Sequence, residues 1–505
     1  MLRFKVFHNR KPAESVLLDG AYLLGSDGVP LRAELSFGDG EIRCSKRAAG
    51  PAALCLPWPI EGYGRLMLET TRLSERETPY HLHVELARGR LMKISHKRED
   101  WGLYDYSDGA EYYRQIDEAK APLIDAITAT DDATAAELAD QSLAAAVRVG
   151  EELSLFHADI FLARRKATGQ FVKRPLGVTV LLNRGDDPYR RYLPPGFDFA
   201  VLPTHWRDVE PRSGTQRWET LDLWVNWLAQ HKLHVRGAPL VSLERLALPD
   251  WAVPEAADYE NFRDLLLGHA MRLVKRFAHR VQSWEVVHGI HAFNTFHMTF
   301  EQLMELTRLA ALIVKQNAPR SASIVTVVLP WGEYYARDIR TIPPLLYADM
   351  CVQSGFHFDA FGLEFQFGVP VEGMLVRDMM QVSALLDRFA AFNKPLHVTA
   401  VAVPSTVMSN RGPESLLAGG GQWREPWSEG LQARWLRQFY EIAFSKPFVE
   451  TIAWRDLSDS QGRIIPTGGL LHADLTPKPA FESLLDFRRS ILGDRPGRHA
   501  RDRAD

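Results

Sequence analysis

The sequence predicts an α/β protein: a closed (β/α)8 TIM barrel, preceded by an N-terminal β-sandwich-like domain and a helical connector. Three observations carry this. Between residues 174 and 490 a short apolar run is followed by a helical stretch, and the unit repeats until eight strands have been counted. Before residue 105 the apolar runs are short and alternating, and turn residues separate them. Between the two lies one long stretch of helical periodicity.

The N-terminal runs are Leu2–Phe7, Val16–Leu24, Leu31–Phe37, Leu66–Glu69, His81–Glu85 and Leu91–Ile94, with turns at Ser26-Asp27-Gly28 and Gly38-Asp39-Gly40. That spacing suits a sandwich or jelly roll over residues 1–125. In the connector, residues 126–173, Leu138, Leu143, Val147, Leu153, Phe156, Ile160 and Phe161 recur at helical spacing, and Asp132 is placed to cap the helix. The predicted barrel strands are Gly177–Leu182, Phe199–Leu202, Val235–Val241, Ser283–Val287, Ser323–Leu329, Ala360–Phe365, Leu396–Val401 and Ile452–Arg455. Predicted helices at Leu221–His231, Tyr259–His279, Phe300–Gln316, Val376–Phe392 and Glu429–Phe444 separate most of them. Residues 491–505, charged and containing Gly and Pro, read as a disordered tail. In such a barrel the chemistry sits in the loops after the strands' C-terminal ends.

Composition narrows the function. Hydrophobic residues make up 46% of the 505 residues, enough for a large core and too many for a disordered chain. With 60 Lys and Arg against 63 Asp and Glu, the net charge of −3 gives no general footprint for nucleic acid or an anionic membrane. No apolar run approaches the ~18 residues of a membrane span, and MLRFKVFH at the start reads as a strand instead of a secretory signal. The expectation is a cytoplasmic protein. Three cysteines, Cys44, Cys55 and Cys351, fit a reducing compartment, although one Cys44–Cys55 bridge is open to the chain. No cofactor is expected, because neither Gly419-Gly420-Gly421 nor Gly468-Gly469 sits in a phosphate-loop pattern. No metal is expected either: His288, His291 and His297 have generic spacing and no companion ligand.

Six segments in register then resemble family 10 glycoside hydrolases, the xylanase family. They are Trp206-Arg207-Asp208-Val209-Glu210-Pro211 with Gly214; Val235-Arg236-Gly237 with Leu248-Pro249-Asp250-Trp251; Trp284-Glu285-Val286-Val287; Phe361-Gly362-Leu363; Trp454; and Thr476-Pro477-Lys478-Pro479-Ala480-Phe481. The resemblance covers the whole predicted barrel and implies a carbohydrate partner, a β-glycan or oligosaccharide, in the barrel cleft.

The departures fall on the chemistry. The family uses an acid/base glutamate ending W-D-V-V-N-E after strand four and a nucleophile in T-E-L-D after strand seven. Here Gly289 takes the first position and Ala400 the second, and neither can donate a proton or form a glycosyl ester. From Val398 to Pro413 there is no acid at all. Glu285 lies four residues before Gly289, roughly 13 Å deeper at ~3.3 Å per strand residue.

Candidate replacement carboxylates are Glu364 after strand six and Glu333 after strand five, against the plainer reading that both are ion-paired or solvated loop charges. Candidate substrate-binding residues at the strand ends are His205, Trp206, Glu285, His288, His291, Gln366 and Trp454. Three tryptophans, Trp206, Trp331 and Trp454, offer faces on which sugar rings stack. Trp454 is the one at a family position, and the other two fit core packing better. The leading expectation is a xylanase-like protein that still binds carbohydrate but has lost the retaining mechanism. Two alternatives stay open: an O-glycosyl hydrolase using other carboxylates, and an interaction protein with a vestigial cleft. The N-terminal domain is equally a carbohydrate-binding module or a packing module.

Overall fold

The computed structural model describes residues 1–103, 106–407 and 420–492. The predicted tail, from residue 493 on, lies outside these.

Two four-stranded sheets build the N-terminal domain. One runs, in order, Tyr80–His81, Leu2–Lys5, Glu41–Lys46 and Ala33–Gly38. The other runs Pro30–Leu31, Tyr22–Gly25, Ala52–Ile60 and Gly64–Glu69. The strands expected at His81–Glu85 and Leu91–Ile94 are instead one helix, Leu82–Asp100. The alternation in those runs was too short to separate the two periods. The buried set Val84, Ala87, Leu91 and Ile94 has helical spacing. A second helix, Ala110–Thr128, was not anticipated, and it packs on the connector.

The connector is a single helix of 37 residues, Asp132–Thr168. Its cap is Asp131, not Asp132: the Asp131 carboxylate accepts from the backbone N–H groups of Ala133 and Thr134. Gly169, at φ 63°, closes the other end in the left-handed conformation that glycine adopts without strain. Midway along, Glu151 is fully buried. It accepts from Met379 N (2.9 Å), Trp423 Nε1 (2.7 Å) and the Arg424 guanidinium (3.0 Å), so the connector is stapled to the barrel by a satisfied buried carboxylate.

The barrel closes. Its parallel strands are β1 (Leu176–Thr179), β2 (Phe199–Pro203), β3 (His234–Ala238), β4 (Ser283–His288), β5 (Ala322–Val327), β6 (Ala360–Gln366), β7 (Leu396–Ala402) and β8 (Val449–Trp454). β8 pairs with β1, and β3 pairs with β4, so no edge is left open. A two-residue strand, Val241–Ser242, extends β3 along β4. Helices Glu219–Gln230, Tyr259–Phe277, Phe300–Asn317, Pro344–Gln353, Met379–Ala390, Glu429–Ser445 and Pro479–Phe487 surround the sheet. Four of them start on side-chain caps, Asp258, Thr299, Asp378 and Ser428. One apolar core runs from the N-terminal sheets through the connector into the barrel. No helix among the described residues is long and apolar enough to cross a membrane. Cys44, Cys55 and Cys351 are buried free thiols, so the Cys44–Cys55 bridge is not formed.

Two irregularities shape the barrel mouth. The pairing of β4 with β5 slips between Glu285 and Val287, and that of β6 with β7 slips between Leu363 and Glu364. Each inserts an extra residue and re-aims the side chains beyond it.

Candidate active-site cleft

The bulge in β4 turns both Glu285 and His288 into the barrel mouth, although an undisturbed strand would send residues three apart to opposite faces. Glu364 projects from β6 toward the same point. Glu244 arrives from the loop after Val241–Ser242, and Arg455 directly follows β8. His288 is the hub. Its Nε2 lies 3.3 Å from Glu244 Oε1, and its Nδ1 lies 3.9 Å from Glu285 Oε2 and 4.0 Å from Glu364 Oε1. Arg455 donates to Glu364 Oε1 at 2.9 Å, Gln366 Nε2 donates to Glu364 Oε2 at 3.2 Å, and the Thr326 hydroxyl donates to Glu285 Oε2 at 3.0 Å.

The charges respond to this geometry. Burial works against a charged His288 ring, but the Glu364 charge, and then Glu244 and Glu285, outweigh it and raise its pKa to about 10. These neighbours favour the imidazolium over the neutral ring. Burial opposes the charge on Glu244, yet His288 beside it holds that carboxyl below its ordinary value. Three carboxylates thus share two cations. Since Glu285 and Glu364 oxygens both lie near one nitrogen, they are at most about 8 Å apart, below the ~9.5 Å upper limit of glycosidase carboxyl pairs.

Two small pockets meet at this cluster, and Glu244, His288, Glu364 and Arg455 line both. One, of about 80 Å³, is polar and reaches Thr179, His205, Ser242 and Thr399. The other, of about 50 Å³, is walled by Phe293, Trp331, Phe367 and Met374.

The predicted site residues divide. His205, Glu285, His288, Glu364 and Gln366 come together at the mouth. Trp206 does not: it is 3% exposed, stacks on His269 and donates its Nε1–H to Glu210 Oε2 at 2.9 Å. His291 is fully buried, its Nδ1 2.6 Å from the Tyr334 hydroxyl and its Nε2 accepting from Val328 N. Trp454 is fully buried under the loop at Gly468, whose carbonyl accepts its Nε1–H at 2.8 Å. Glu333 faces away from the mouth and forms a buried ion pair with Arg377. Trp331 is therefore the one of the three candidate stacking tryptophans on the cleft wall. Glu285 is not lost to depth, as strand spacing alone implied, because the bulge brings its carboxylate beside the His288 ring.

Glu244 and Arg455 went unread in the sequence. Each lies just beyond a barrel strand, which is the one signal that could have found them. Among the described residues no group of three His, Cys, Asp or Glu side chains is arranged to hold a metal ion.

The family positions are filled as the sequence has them. Gly289 sits at φ 58°, and a Cβ there would lie 2.7 Å from Val328 Cγ2 and 2.8 Å from Phe293 Cδ2. Ala400 is 2% exposed and is the register partner of Glu364.

Residues 203–306 match the model for glycosyl hydrolase family 10. Among solved structures, the chain is similar to a family 10 protein from Paenibacillus barcinonensis, at 17% identity over 64% of this chain and 96% of that one, with a TM-score of 0.49. It is similar to xylanase B from Clostridium stercorarium F9, at 16% identity over 62% and 96%, TM-score 0.46. It is also similar to a mutant intracellular xylanase from Thermoanaerobacterium saccharolyticum in complex with xylotriose, at 16% identity over 61% and 94%, TM-score 0.46. With its closed barrel and a family match running from the end of the second strand into the helix after the fourth, the chain resembles family 10 glycoside hydrolases.

Proposed function

We propose that this protein binds a β-glycan or oligosaccharide across the barrel mouth and does not cleave it by the family's retaining mechanism. The observation that carries the reading is the backbone at Gly289. Its left-handed φ and the walls formed by Val328 and Phe293 leave no place for the acid/base side chain that the resemblance implies there. Ala400 at the nucleophile position points the same way. The carboxylates that remain are each tied to a cation or a hydroxyl, and His288 holds Glu244 below its ordinary value, the opposite of what a general acid needs. What they offer a sugar is a fixed set of acceptors and donors beside the apolar wall of Trp331 and Phe293. The pockets are far smaller than the ~300–1,000 Å³ of a typical ligand site, so a glycan lies over the mouth with only its hydroxyls reaching the cluster.

The test pairs calorimetric titration with a reducing-sugar assay on β-1,4-linked xylo- and gluco-oligosaccharides. Binding without turnover is expected, and Glu364→Gln should weaken binding by about tenfold, the ~1.4 kcal/mol of one charge-assisted hydrogen bond. Robust turnover abolished by Glu364→Gln would instead favour a hydrolase working through Glu364 and Glu285, both of which approach His288. No affinity for any glycan would leave the cleft vestigial.

Restoring the family residue should not restore activity. Gly289→Glu is expected to lose about 2–4 kcal/mol of stability, from positive-φ strain and overpacking, and to release no reducing sugar. Urea unfolding measures the first. A variant as stable as the parent would show that the site has room after all.

A further inference from the structure

A second cavity is larger than either pocket of the cleft. A pocket of about 290 Å³ lies between the N-terminal domain and the barrel, behind Trp331, which forms a wall of both this pocket and the cleft. Its lining carries six Arg and Lys side chains, Arg72, Arg90, Lys93, Lys97, Arg377 and Arg388, and two acids, Glu69 and Asp100. Some of this charge is already answered: Arg90 by Asp378 at 2.8 Å, Arg377 by Glu333, Lys97 by Asp100 and Asp387 at 3.2 Å each, and Lys93 by Glu69. Glu69 is also 3.8 Å from Arg72, so one carboxylate serves two cations. Arg388 is exposed, lines the pocket, and has no ion-pair or hydrogen-bond partner among the described residues. Desolvation there, and then the facing Arg72, hold it below its ordinary pKa. Leu24, Leu68, Met380 and Leu385 add apolar surface to the wall, beside the polar Tyr22, His96 and Gln381.

A concave site whose lining combines surplus positive charge with apolar side chains suits an amphiphilic anion. We propose that this pocket binds a small organic phosphate ester. Arg388, Arg72 and Lys93 hold the phosphate, and the ester's apolar or aromatic body lies against Leu24, Met380 and Leu385. Arginine forks match phosphate oxygens in pairs, and Arg388 has its fork free.

The test is calorimetric titration of the full chain with three probes: phenyl phosphate, inorganic phosphate and phenol. Phenyl phosphate should bind saturably, inorganic phosphate at least about tenfold more weakly, and phenol not at all. Arg388→Glu should weaken phenyl phosphate binding by about a hundredfold, whereas Arg263→Ala, on an outer barrel helix, should leave it unchanged. Arg388 is exposed, so its replacement should not unfold the chain, and an unaltered circular dichroism melt checks this. Lys93→Gln, a milder change, should weaken binding in the same direction. No saturable heat with phenyl phosphate, or binding indifferent to both substitutions, would overturn the proposal. Inorganic phosphate binding as tightly as its phenyl ester would overturn the apolar subsite.

Discussion

Arg377→Met is expected to destabilise the fold by about 3–5 kcal/mol, because it leaves Glu333 charged and buried without a partner. Both side chains of the pair are under 5% exposed. Burial disfavours the Arg377 charge, but Glu333 and then Tyr22 more than compensate and raise its pKa. Glu333 Oε2 has no hydrogen-bond partner among the described residues and Arg377 pairs with Oε1, so nothing remains to satisfy the carboxylate once the guanidinium is gone. The pair also sits where two domains meet: Tyr22, Leu24, Cys55 and Met67 of the N-terminal sheet pack on Ala336 and Leu375 of the barrel loops. The double variant Arg377→Met/Glu333→Leu should recover most of the loss, because apolar replacement of a buried pair is often close to neutral. Urea unfolding of the parent, the single and the double variant measures this. A loss under about 1 kcal/mol in the single variant, or no recovery in the double, would mean that the pair is not what holds the junction.

The barrel was legible because its signal is periodic and long. Each of the eight predicted strands overlaps an observed one, and the helices at Tyr259–Phe277 and Phe300–Asn317 differ from expectation by at most two residues at an end. Such runs bury a face, and the pattern follows from burial. The N-terminal domain was less legible. The helix Leu82–Asp100 is buried on much of its surface and therefore lacks a clear polar stripe, so its first residues mimic a strand. The cleft was legible only by position. Strand ends pointed to Glu364, His288 and Gln366, but a sequence does not display a bulge, and the bulge at Val286 is what brings Glu285 beside His288. The same limit put Trp454 on the cleft wall and Glu333 at the mouth. Whether a residue just past a strand faces the lumen or a covering loop depends on packing against distant segments, here the Gly468 loop and Arg377.

Between pH 6.5 and about 10 the parent protein should lose stability relative to His288→Gln, by an amount of the order of 5 kcal/mol. The folded protein holds the His288 proton up to about pH 10, whereas the unfolded chain releases it near 6.5. A raised folded-state pKa contributes stability that is complete below pH 6.5 and disappears as the pH climbs through the folded value. The neutral glutamine carries no such term. It leaves Glu244, Glu285 and Glu364 with Arg455 alone, so the variant should already be the weaker protein at pH 6 and converge on the parent by pH 10. Lys93, held near 8 by burial, titrates in the same window, but it does so in both proteins and cancels in the difference. Urea unfolding at pH 6, 8 and 9.5, with the ring followed by nitrogen-edited NMR, reads the effect directly. A ring that titrates near 6.5, or pH curves that run parallel for parent and variant, would show that the three carboxylates do not act on His288 as a group. If the curves converge, the mouth carries a fixed imidazolium at neutral pH. Such a ring can donate hydrogen bonds to a sugar hydroxyl but is a poor base, which separates binding from cleavage in this cleft.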